Sequence, residues 1–92
     1  MTTVARYEAK IKVRERLSIS MKRSGRNVRS DAHIDAQYKF RKAAPDRWTV
    51  KELIEKRLRP AAPGYDFNVL DSSGEVFHGK TLLRNARKTT VD

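Results

Sequence analysis

Lysine and arginine recur on alternate residues near the N-terminus. The even positions from 6 to 22 read Arg6, Glu8, Lys10, Lys12, Arg14, Arg16, Ser18, Ser20 and Lys22, six of them basic and none apolar. Spaced by two along a strand, Lys10, Lys12, Arg14 and Arg16 stand about 6–7 Å apart on one side, near the phosphate spacing of a single nucleic-acid strand. A second cluster, Lys22, Arg23, Arg26 and Arg29, lies just downstream, and Lys39 and Arg41 follow. Such side chains at such spacing hold a polyanion through phosphate contacts that carry little sequence information. Tyr7, Tyr38 and Phe40 fall on the apolar parity of their segments. The cationic face therefore lacks the interleaved aromatics on which single-stranded bases stack.

Other chemistry is sparsely represented. His33 and His78 are the two histidines. An acid–base pair of a metal-independent ribonuclease needs two groups converging on one proton path, and the spacing of these two fixes no such path. The chain has no Cys, no His-x-x-His and no clustered carboxylates, so metal-ligand spacing is missing. Asp66, Asp71 and Glu75 lack the pattern of a calcium loop. Gly74 and Gly79 do not make a phosphate-binding loop, and Ser72 and Ser73 have no nucleophile setting. No catalytic residue, metal or cofactor is expected.

The elements that must position the cations follow from periodicity. The odd positions from 5 to 21 are Ala5, Tyr7, Ala9, Ile11, Val13, Glu15, Leu17, Ile19 and Met21, apolar except at Glu15. A period of two is that of a strand, and it predicts one long strand with the cations on its solvent face and Glu15 as an interruption of its buried face. A hairpin turning at Arg14-Glu15-Arg16 is the alternative, though it lacks the Gly that three-residue loops favour. Residues 22–31 read as a basic loop. Ile34, Ala36, Tyr38 and Phe40 alternate with His33, Asp35, Gln37, Lys39 and Arg41, which predicts a second strand antiparallel to the first. Thr49 and Glu52 form a capping box, with Trp48 and Leu53 placed as a hydrophobic staple. The helix they open is expected to stop near Arg59, at Pro60. Tyr65, Phe67 and Val69 predict a third strand, Asp71–Gly74 a turn, and Glu75–Phe77 a short return. Residues 81–87 read equally as helix or strand.

Composition sets the scale. Ninety-two residues, 38% hydrophobic and 35% charged, make one small domain with a modest core. The net charge of +10 is uneven, because the first thirty residues hold nine basic and only two acidic groups. Surplus charge concentrated on one element marks a surface used for a partner. No apolar run approaches the length of a membrane span, no secretory leader is visible, and the lack of Cys fits a reducing compartment. A cytoplasmic location, with no membrane partner, is the expectation.

The predicted fold is α+β: a single domain over residues 1–87 in β-β-α-β-β order, a mixed sheet packed on one central helix, with a flexible tail at 88–92. The stretch from Tyr38 to Leu58, a strand running through a loop into a capped helix, resembles the β-grasp, ubiquitin-like family. So does Phe67–Leu82, with its strand, short return and Gly79-Lys80-Thr81-Leu82 turn. The resemblance implies a β-grasp sheet and an adaptor surface, but not conjugation, since the chain ends Thr90-Val91-Asp92 without Gly-Gly. Two functions follow. The first is a non-enzymatic protein that binds nucleic-acid backbone, DNA or RNA, through Lys10, Lys12, Arg14, Arg16, Lys22, Arg23, Arg26, Arg29, Lys39 and Arg41. The alternative is a ubiquitin-like interaction module or inhibitor for an acidic protein. The edge of the long first strand also offers a pairing site for a second copy.

Overall fold

The computed structural model describes residues 2–89. Its largest correction to the sequence reading is at the N-terminus. Val4–Glu15 form a helix, α1, of twelve residues, not the first half of a strand. Tyr7, Ile11 and Glu15 are all odd-numbered, yet they are also spaced by four. That spacing is the stripe of a helix, and these three are buried together with Val4. The remaining odd residues, Ala5, Ala9 and Val13, form a second stripe that faces solvent, Val13 at 81% exposure. Ala, Arg, Lys and Glu supply eight of the twelve residues of α1, and all are strong helix formers. Thr3 caps its N-terminus by accepting the Arg6 N–H at 3.3 Å. Arg16 closes it in the left-handed region, with φ 58° and its N–H on the Lys12 carbonyl at 2.8 Å.

Beyond Arg16 the period of two is genuine. Leu17, Ile19 and Met21 are buried and alternate with half-buried Ser18, Ser20 and Lys22. Ser18–Arg23 form β2, the middle strand of an antiparallel sheet. On one side β3 (Arg26–Asn27) returns across a two-residue turn, Ser24 and Gly25, both at positive φ. That is the backbone twist a tight hairpin requires. On the other side β5 (Asp66–Leu70) pairs from Ser18↔Leu70 to Lys22↔Asp66. β2 is thus six residues long, paired with β5 from Ser18 to Lys22 and with β3 at Lys22 and Arg23, in place of the single long strand expected from residue 5 to 21. Thr2–Thr3 (β1) and His33–Ile34 (β4) make a separate two-stranded ladder. The strand predicted over 33–41 shrinks to that pair. Its alternation of burial nevertheless continues through Arg41 without a ladder.

The second helix opens on the expected capping box. Thr49 Oγ1 accepts the Glu52 N–H at 3.2 Å, and Glu52 accepts the Thr49 N–H at 3.1 Å. Pro60 does not stop it. The helix runs as α2 (Val50–Leu53), a π-helical segment (Ile54–Leu58) and α3 (Arg59–Ala61). A proline in a helix interior lacks its N–H and crowds the carbonyl four residues back. The wider π turn immediately before Pro60, in which the Arg59 N–H reaches the Ile54 carbonyl, admits it. Val76 bridges Leu70 after the Asp71–Gly74 turn, as the short return predicted. Leu82 bridges Thr49, and α4 (Leu83–Thr89) follows, which settles residues 81–87 mainly as helix. Lys88 and Thr89, expected in the tail, belong to α4, and residues 90–92 lie outside the described ones. The class is therefore α+β, but as two antiparallel sheets with three helical runs, in place of a β-β-α-β-β mixed sheet on one helix.

Glu15, the apparent blemish in the apolar pattern, is the polar centre of the core. It is fully buried. Its carboxylate accepts the Tyr38 hydroxyl, the Ala44 N–H at 2.7 Å, Arg57 at 2.8 Å and Arg87 at 3.1 Å. Arg87 also reaches the Glu15 carbonyl at 2.8 Å, the Ala44 carbonyl at 2.8 Å and Asp46 at 2.5 Å. Arg57 reaches the Lys42 carbonyl at 2.7 Å and lies 4.4 Å from the Phe40 ring centre. One side chain thus joins α1, the irregular 38–46 segment, the second helix and α4. Removing one member of a buried ion pair strands its partners, at a cost of about 3–5 kcal/mol. Glu15→Ala is expected to lose that much unfolding free energy, read from the urea midpoint. A loss below about 1 kcal/mol, the size of an exposed pair, would show that the cluster contributes little.

Candidate polyanion-binding surface

The orientation of α1 sorts its charges by sign. Both of its carboxylates turn inward. Glu15 is buried as described, and half-buried Glu8 accepts the Met21 N–H at 2.9 Å. Burial raises the Glu8 pKa, and the bond from Met21 opposes that rise. Arg6, Lys10, Lys12 and Arg14 are exposed, as is the cap residue Arg16. The outer face of α1 is therefore cationic with no acidic residue of its own. Lys12 and Arg14 also sit in the last turn, where cations complement the helix dipole.

The cations predicted along a strand thus lie together on a helix. Helical geometry groups them at four-residue spacing, Arg6 with Lys10 and Lys12 with Arg16. Arg14, four residues beyond Lys10 on the same row, donates to the Arg41 carbonyl at 2.6 Å. That bond brings the 39–42 segment alongside, where Lys39, Arg41 and Lys42 are exposed. At the other end of α1, the Val4 and Ala5 N–H groups bond the carbonyls of Ala32 and Ser30 at 2.9 and 3.0 Å, which anchors the end of the basic loop. Arg6 and Lys42 were missed by sequence reasoning. For Arg6 the available signal was its four-residue offset from Lys10.

The expected basic loop at 22–31 is mainly a hairpin. Lys22 and Arg23 end β2, while Arg26 begins β3. Arg23 and Arg26 are direct cross-strand partners, an arrangement that costs stability through like-charge repulsion. The Arg23 guanidinium lies 5.7 Å from the Tyr65 ring centre, a partial relief. Arg29 pairs with Asp31 at 3.4 Å, both exposed. Among the described residues, Arg29 alone of the ten predicted cations lies within ion-pair distance of a carboxylate. Pairing is concentrated elsewhere, as Lys51–Glu55, Lys56–Glu52 and Arg59–Asp66 on the second helix and β5, and as the Arg57 and Arg87 pairs of the core.

His33 lies in β4 opposite Thr3, and His78 lies in the turn before Thr81, where its Nδ1 accepts the Lys80 N–H at 3.2 Å. Among the described residues no cluster of His, Asp or Glu suits a metal ion, and no helix is long and apolar enough to cross a membrane. No family model, curated protein or solved structure matches the chain.

The hairpin offers a test of whether its charge is kept at the expense of stability. Arg26→Glu turns a like-charge cross-strand pair into an opposite-charge one. It is expected to raise stability by roughly 0.2–1 kcal/mol in a low-salt thermal melt, with the gain shrinking as salt screens it. A loss of stability at low salt would contradict the repulsion read from the pairing.

Proposed function

We propose that this protein is a non-enzymatic nucleic-acid-binding module. It holds the phosphate backbone on the outer face of α1, supported by the 39–42 segment and the 22–29 hairpin. The carrying observation is the sorting of charge on α1: both carboxylates inward, every cation outward. Exposed cations of α1 that have no carboxylate within ion-pair distance release counterions from a polyanion when they meet it, and that release favours binding. Because the contacts are to phosphate, affinity is broad in sequence and steep in salt. No chemical step is assigned to His33 or His78. A cytoplasmic site of action belongs to the same proposal, as does the β-grasp kinship of the capped helix and the following hairpin, which occur in the order that family uses. An acidic protein partner is the competing occupant of the same cations, and it would not show the counterion-release slope of a nucleic acid.

The deciding experiment is a salt series on labelled duplex DNA, single-stranded DNA and RNA. Log affinity is expected to fall linearly with log salt. Replacing Arg6, Lys10, Lys12 and Arg16 together by Gln leaves the fold intact, because all four are exposed, and flattens the slope by about 0.9 for each lost contact on duplex DNA. His33→Ala and His78→Ala leave binding unchanged. Absence of binding to every nucleic acid at low salt overturns the proposal.

A further inference from the structure

The outer face of α1 is not uniformly charged. At about 100° per residue, Ala9 and Val13 project within about 30° of the direction opposite the buried Val4-Tyr7-Ile11-Glu15 stripe. Ala5 lies one turn earlier, about 65° to one side of that direction, and Arg6 lies about 35° to the other, beside Val13. Lys10 flanks the crest on the side of Arg6, and Lys12 flanks it on the side of Ala5, with the cap residue Arg16 at the helix end. All are exposed, and Val13 is one of the two large hydrophobic residues left in solvent among the described residues. Alanine is a strong helix former on any exposed face, whereas valine is a poorer one, so the exposure of Val13 on this crest is what solubility and helix formation alone do not call for.

We infer that α1 enters the major groove of B-form duplex DNA, crest first, with its two cationic flanks on the opposing phosphate walls. This rests on the nucleic-acid reading above and narrows its target. Charge complementarity supplies the attraction, and shape supplies the choice. Twelve residues make a helix about 18 Å long, and the major groove, about 12 Å wide, admits a helix. Ala5 and Ala9 let the helix axis come close to the base edges. Val13 and the alanine methyls suit the thymine C5-methyl, an apolar contact available only in that groove.

The other targets fit less well. Duplex RNA has a major groove too deep and narrow for side chains to read. Single strands are gripped by stacking on aromatic rings, yet the one aromatic residue of α1, Tyr7, is 2% exposed and faces the core. A membrane surface would need Trp, Phe or Leu along the crest, and two alanines and a valine bury too little.

Three measurements on the full chain test the inference. At a single low salt concentration, duplex DNA is expected to bind roughly tenfold or more tighter than duplex RNA of the same sequence. In the DNA complex, guanine N7, which lies in the major groove, is expected to be protected from dimethyl sulfate. Ala9→Leu, a change on an exposed helix-favouring site, should weaken duplex DNA binding about fivefold or more. Its thermal melt and its binding to heparin, a polyanion without a groove, should match wild type. Equal affinity for the two duplexes, or reactive N7 in a formed complex, would overturn groove entry and leave the polyanion reading standing. Failure to bind any nucleic acid would overturn both.

Discussion

A carboxylate taken completely out of water must be surrounded by donors, and Glu15 is surrounded by two guanidinium groups, a backbone N–H and a tyrosine hydroxyl. Burying a single charge in an apolar interior is prohibitively unfavourable, so such a group is found paired or not at all. The pairing here has a geometric consequence. Arg57 comes from the second helix, Arg87 from α4, and Tyr38 and Ala44 from a segment with no ladder of its own. All four converge on the last residue of α1. Satisfying Glu15 fixes the distance between these elements, and it also fixes which way α1 is rolled about its axis.

That roll determines the surface. With Glu15, Ile11 and Tyr7 held inward, the remaining faces of α1 are set by the pitch of the helix, and its cations have nowhere to point but outward. Glu8 on the flank is drawn toward β2 by the Met21 N–H. The chain spends several of its acidic residues on internal pairing, at Glu15 and Asp46 in the core cluster and at Glu52, Glu55 and Asp66 on the second helix and β5. Among the described residues, Asp31 beside Arg29 is the one carboxylate within ion-pair distance of the cations predicted on α1 and the hairpin, where Arg23 and Arg26 face each other across the strands. A surface whose repulsion is only partly relieved is a poor choice for stability alone and a suitable one for attracting a polyanion.

Local signals in the sequence survived wherever one physical rule governed alone. The Thr49–Glu52 box, the alternation of Leu17 to Met21, and the Asp71–Gly74 turn after β5 all appear as read. Misreading arose where two periods coincide. Residues 7, 11 and 15 satisfy both alternation and the four-residue helical repeat, and only the high helix propensity of the intervening Ala, Lys, Arg and Glu separates the two. Glu15 looked like a flaw because its partners are 23 to 72 residues distant, and long-range satisfaction leaves no mark in local pattern. Pro60 was read as a stop because the π turn that accommodates it cannot be seen in residue types. For the candidate surface, the identity of the cations was legible, while their grouping and the small-residue crest between them became visible only with the helix.

The central claim is that the outer face of α1 meets the polyanion. Backbone amide shifts followed by NMR during titration with a short DNA duplex test it residue by residue. The largest shifts are predicted at Ala5, Arg6, Ala9, Lys10, Val13 and Arg16, with smaller ones at the 22–29 hairpin and Lys42, and none along β5 or the exposed side of the second helix. Shifts concentrated on Asp66–Leu70 and Val50–Ala61, with α1 unmoved, would contradict it.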